Sequence, residues 1–153
     1  MLLLCAFLVG IVSGLRTFTA PAVASWFARS GSLAVASSPL AFMGFKYTPI
    51  ILTVLAIGEI INDKLPKTPS RKTPPQFIAR LLSGALTGAT IGAAGGSLWL
   101  GIFLGAIGAV LGTLGGAAMR ARLAAAFGRD FPAALLEDVM AIGLAIVFLL
   151  RVR

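Results

Sequence analysis

Residues 81–119 run for 39 positions without a charged side chain. A helix rises about 1.5 Å per residue and a bilayer core is about 30 Å thick, so about 20 apolar residues cross it once. The run is long enough for two crossings, and Gly95-Gly96-Ser97 supplies the turn between them. It predicts helices over 76–94 and 98–119, the first opened by Pro75, which suits a helix start.

Composition carries the same message to the rest of the chain. With 58% hydrophobic and 12% charged residues in 153, there is too little polar surface to cover a water-soluble globule. The charge-free runs 2–15, 49–58 and 139–150 are short and reach bilayer length only by taking in ionisable residues. Three further spans are predicted on that basis, over 2–28, 41–62 and 133–150. The expected fold is an all-α integral membrane protein, a single domain over 1–153 with about five short, glycine-rich helices. Gly14, Arg16 and Pro21 fall in the second half of the first segment, so that helix is broken, or it folds back near Arg16 as a re-entrant hairpin. Residues 30–39 read as an exposed loop. Residues 63–75 hold four prolines and four basic residues and read as a stiff cytoplasmic connector. Asp130 is an N-cap candidate for the last span, with Pro132 in its first turn.

The net charge of +8 sits chiefly in two loops and at the chain end, where cations meet lipid headgroups, so the bilayer and not a nucleic acid is the expected partner. The single Cys5 forms no internal disulfide, and no histidine is available as a proton shuttle or metal ligand. Neither a metal nor a cofactor is expected. Ala22-Val23-Ala24 mimics a signal-cleavage site, but no basic segment precedes it and Arg16 interrupts the apolar run, so the segment is read as retained. Basic residues gather on the cytoplasmic side, which puts 63–75 and 120–129 there. A straight first helix then leaves the amino terminus inside and the carboxy terminus outside; a hairpin leaves both outside.

Eleven of the 18 glycines lie between Gly84 and Gly116. Gly84, Gly88, Gly92 and Gly96 recur at fours on one predicted helix; Gly101 and Gly105, then Gly108, Gly112 and Gly116, do so on the next. Residues four apart share a helix face, so these positions predict close backbone packing, either between the two helices or between subunits of a homo-oligomer.

Ionised groups inside a membrane cost about 2.5–3.5 kcal/mol each at a helix centre, so each needs a partner or a use. Glu59 and Asp63 share a face at the end of the second span, Lys64 and Arg80 flank the connector, and Glu137 with Asp138 sits a turn into the last helix. These predict one charged layer near the cytoplasmic interface, net negative because four acids face Arg80 and Lys64. Register-fixing ion pairs and a proton or cation site are both open readings of it. On a straight first helix Arg16 lies roughly 20 Å from the amino-terminal face, beyond reach of this layer. On a hairpin it reaches Glu59 or Glu137. A broken helix presenting Arg16 with Thr17 and Thr19 would suit an anionic group.

Several of these residues carry a family resemblance. Gly14-Leu15-Arg16-Thr17 with Pro21, Glu59, the 63–69 connector with Pro74-Pro75, and Arg80 with Ser83-Gly84-Ala85 together resemble the bacterial membrane family known as domain of unknown function 4126. The resemblance covers nearly the whole chain and implies a small multi-span inner-membrane protein without an assigned activity. From the residues, the leading expectation is an oligomeric transporter or channel for an ion or small anionic solute. The alternative is a noncatalytic accessory subunit that packs through glycine faces against a membrane protein or lipid. No catalytic set or phosphate-binding loop argues for an enzyme.

Overall fold

The chain is described by a computed structural model over residues 1–64 and 73–151. Among these residues the structure is entirely helical: α1 (Leu2–Leu15), α2 (Thr19–Arg29), a 3-10 turn at Ala41–Gly44, α3 (Thr48–Asn62), α4 (Pro74–Ala94), α5 (Leu98–Phe127) and α6 (Asp130–Leu150). Most of the connector over 63–75 lies outside the described residues. Helices α4, α5 and α6 are long and apolar enough to cross a membrane; α1 and α3 are apolar but shorter, at 14 and 15 residues.

The segment 2–28 is two helices. Pro21 is the third residue of α2, within the first turn, where its missing N–H costs nothing; further along a continuous helix it would break a hydrogen bond and clash with the preceding turn. The chain therefore leaves helical geometry just upstream, with Arg16 extended at φ −137° and ψ 119°. Segment 41–62 likewise shortens to a 3-10 turn followed by α3.

Glycine explains which helices meet. A Cβ built on Gly84 would lie 2.6 Å from the Gly105 carbonyl oxygen, and one on Gly92 would lie 2.7 Å from that of Ser97. Helices α4 and α5 thus run antiparallel with backbones touching. Helix α1 lies along α5 in the same direction: a Cβ on Gly14 would come 2.6 Å from Thr113 N, and Gly108 and Gly112 abut Phe7 and Ile11. In lipid, where burial of apolar side chains drives little association, such contact is a main source of cohesion. Gly96 differs from its expected role. It occupies the α4–α5 turn at φ +69° with nothing within 4 Å of a built Cβ, so it is a turn glycine and takes no part in packing. Gly116 is buried on α5.

One end of the bundle holds Leu2 against Gly95, and Leu149, near the end of α6, is buried in the same core as Cys5 and Ala6 of α1, so α6 returns alongside α1 toward that end. The other end gathers Arg16, Asp63 and Asp138. Helix α2 leaves the break and rises beside α6, sharing a shallow depression with Ile142 and with Ala56 of α3. Helices α1 and α2 are therefore a hairpin bent at Arg16, and the charge that a straight helix would carry to the far face stays in the layer. Helix α3 leans chiefly on α2 and the 3-10 turn, leaving Ile50, Ile51, Val54, Leu55, Ile57 and Ile61 exposed.

Two other expectations change. Helix α5 does not stop near Met119 but continues to Phe127 and ends at Gly128, which takes the left-handed conformation at φ 66°. Arg120 and Arg122 are consequently helical residues, not loop residues. Asp130 is the first residue of α6 and not its N-cap; its carboxylate pairs with Arg120 instead.

Candidate functional site

A helix that stops at membrane depth exposes peptide groups that no water can satisfy, and each such group costs several kcal/mol. Charged and hydroxyl side chains from three other helices meet them here. Glu59 on α3 accepts from Thr17 N–H at 2.8 Å through Oε1 and from Phe18 N–H at 2.9 Å through Oε2. Arg80 on α4 donates through Nη1 to the carbonyls of Gly14 at 2.9 Å and Leu15 at 2.5 Å. The Ser83 hydroxyl donates to the Thr17 carbonyl, and Thr113 on α5 donates to that of Gly14 at 3.3 Å. Arg80 and Glu59 also approach each other, at 3.5 Å. The break is thus held by an internal anion at its amides and an internal cation at its carbonyls.

Arg16 points the other way, fully buried, with Nη2 2.9 Å from Asp63 and in contact with Asp138. Its partners are these two aspartates and not Glu59 or Glu137. Lys64 reaches Asp138 at 3.1 Å. Arg120 joins Asp63 and Asp130 and lies 3.6 Å from Glu137. Glu59, Asp63, Glu137 and Asp138 therefore face Arg16, Lys64, Arg80 and Arg120, with Asp130 at the exposed edge; these five are all the acids in the sequence. Among the described residues the layer holds four acids and four bases, where the spacing suggested a net negative one, because Arg16 and Arg120 enter it. Thr19, by contrast, is buried with its hydroxyl off this network.

Arg120 was the residue that sequence reasoning misplaced. The signal existed: residues 117–127 contain neither glycine nor proline and are dominated by strong helix formers, which argues for continuation of α5. Ser83 and Thr113 had no comparable signal, since a hydroxyl in a helix ordinarily satisfies itself on the preceding turn, as Thr113 also does on Ala109 at 2.7 Å. Removing the Ser83 hydroxyl strands the buried Thr17 carbonyl, so Ser83→Ala should cost about 1–3 kcal/mol. A fall in the detergent unfolding midpoint would register it, and Thr90→Ala, which removes only a bond to its own helix, should cost less.

A hairpin of two short helices clamped by charges, backed by three long apolar helices, defines a polytopic α-helical membrane protein organised around a buried ion-pair layer. The family model described as "Domain of unknown function (DUF4126)" matches residues 3–150, and the chain belongs to that family. No curated protein and no solved structure matches it.

Proposed function

We propose that this chain is a small membrane transporter or channel subunit that moves a proton or small cation, and that it does so through the charged layer at the α1–α2 break. The observation that carries the reading is a cleft of about 580 Å³ between α3 and α4, which opens onto the break and is lined by Thr17, Glu59, Asn62, Asp63, Gln76 and Arg80. Its lining carries two carboxylates among neutral polar groups, and Asp63 ties the cleft to Arg16 and Arg120 of the buried layer. An anionic solute is less well supported. The amides that would receive an anion already hold Glu59, and the Arg16 charge is spent on two aspartates.

The accessory-subunit alternative rested on free glycine faces. Gly84, Gly88, Gly92, Gly101, Gly105, Gly108 and Gly112 instead meet other helices of the same chain, which removes most of its motivation. The proposal includes a homo-oligomer, in which a neighbouring copy would shield the polar lining of the cleft from lipid. It also includes a bacterial inner membrane, with the basic layer end cytoplasmic. The ion-pair layer needs no catalytic role.

Purified protein in liposomes should carry protons, Na⁺ or K⁺ down an imposed gradient. Asp63→Asn should lower that flux at least about tenfold per folded molecule, measured on the monodisperse fraction at equal amounts of reconstituted protein. Wild-type vesicles no leakier than protein-free ones to all three ions would overturn the reading.

A further inference from the structure

Every acidic side chain of the sequence is engaged in the buried layer or at its edge. Glu59 meets Arg80 and the break amides, Asp63 meets Arg16 and Arg120, Asp130 and Glu137 meet Arg120, and Asp138 meets Arg16 and Lys64. The layer thus takes all five acids but only four of the 13 basic residues. The cations outside it have no acidic side chain left to meet, so their countercharge comes from another molecule. At the layer end of the bundle, Arg122 and Arg129 are exposed, and neither touches an acid among the described residues.

We propose that the corner between α5 and α6 binds an anionic phospholipid, with Arg122 and Arg129 on its phosphodiester and Phe127 and Phe131 beside its glycerol and acyl groups. Helix length sets the depth. Helices α4 and α6 have 21 residues each, about 31 Å, which matches a hydrocarbon core of about 30 Å; α5 has 30 residues and is about 45 Å long. Trp99, 79% exposed in the first turn of α5, marks one interface. About 20 residues of core counted from there end near Met119, and 120–127 project past it on the side of the layer. Arg122 lies on that projection and Arg129 at the corner that follows, at the level of lipid phosphates.

The chemistry of the corner selects the occupant. A guanidinium offers paired N–H donors that match two phosphate oxygens. A zwitterionic headgroup carries the same phosphate but brings an ammonium, which the two arginines repel, so a lipid of net negative charge is preferred. Asp130 follows Arg129 directly and would oppose a phosphate, but both its oxygens accept from Arg120. Phe127 and Phe131 are exposed within the same ten positions, 122–131. A soluble anion would answer the arginines and leave both rings in water, whereas a lipid answers the two together. The inference is independent of the transport reading, since lipid binding needs no ion gradient.

Native mass spectrometry of the purified protein in neutral detergent, titrated with phosphatidylglycerol or with phosphatidylcholine of the same acyl chains, tests the inference. The parent should bind phosphatidylglycerol more tightly than phosphatidylcholine. The Arg122→Gln, Arg129→Gln pair should bind phosphatidylglycerol about 30-fold more weakly than the parent, about fivefold for each charge. Both positions are exposed, so the variant should stay monodisperse. The Arg29→Gln, Lys46→Gln pair removes as much exposed charge at the ends of α2 and α3 far from the break, and should keep the parent affinity. Parent affinity in the Arg122, Arg129 pair, or equal affinity of the parent for the two lipids, overturns the site. Equal weakening in both pairs also does, since it reports diffuse attraction by net charge. Displacement of bound phosphatidylglycerol by millimolar inorganic phosphate makes a free anion the ligand and overturns the lipid assignment.

Discussion

Arg16→Gln should leave little folded protein to purify. The guanidinium is fully buried between Asp63 and Asp138, and removing it leaves these two buried carboxylates one cation short, with Arg120 and Lys64 still in place; breaking a buried ion group in this way costs up to about 3–5 kcal/mol. A domain has about 5–15 kcal/mol of stability in total, so this single loss is a large share of it. Neutralising Asp138 as well should return part of the stability, because the Arg16→Gln, Asp138→Asn pair removes one charge of each sign. Arg16→Lys should fall between, since it keeps the positive charge but places a more strongly hydrated ammonium in a fully buried position. Yield of monodisperse protein and its unfolding midpoint in detergent are the readouts. If Arg16→Gln purified at wild-type yield and stability, the layer would not be an obligate charge balance.

The second large effect is steric. Gly105 sits where α4 and α5 touch: a Cβ there would lie 2.9 Å from the Gly88 Cα and still closer to the Gly84 carbonyl oxygen. Gly105→Val cannot be accommodated by a rotamer change, because the obstructing atoms are backbone. The helices must part, and α1, which packs on the same stretch of α5 through Gly10, must shift with them. We expect the variant to aggregate or to be degraded on expression. Gly143→Ala on α6 is the matched control: nothing lies within 4 Å of its built Cβ, and alanine is the better helix former by about 1 kcal/mol. The control should purify as well as the parent or better. Equal behaviour of the two variants would refute the backbone-contact account of the bundle.

Gly105 and Arg16 also show how far the sequence could be read. The four-residue glycine spacing announced close packing in 81–119, because that spacing has only one geometric meaning on a helix. Its partners were less legible. Gly84, Gly88 and Gly92 face α5 as an antiparallel pair would require, yet Gly108 and Gly112 turn to α1, whose own Gly10 and Gly14 complete the seam. Gly10 and Gly14, four apart, are a local signal for close packing on α1, but which helix that face meets depends on how the segments come together in space. Glu59, Asp63, Arg80, Glu137 and Asp138 were recognisable as a layer because charges in apolar segments are few. Their pairings were not, because a side chain of several rotatable bonds can reach any of three or four neighbours once helices are packed.

Membrane class, the two helices in the charge-free run and the break near Pro21 follow from the sequence itself, through bilayer thickness, helix rise and the missing amide of proline. Those are one-dimensional constraints, satisfied or violated along the chain. Tertiary structure alone decided that the α1–α2 hairpin returns Arg16 to the layer, that Arg120 joins it from an extended α5, and that Glu59 both faces the cleft and clamps the break. These outcomes depend on where distant segments meet in space, and the cost of leaving buried charges and peptide groups unpaired selects among the meetings that packing allows.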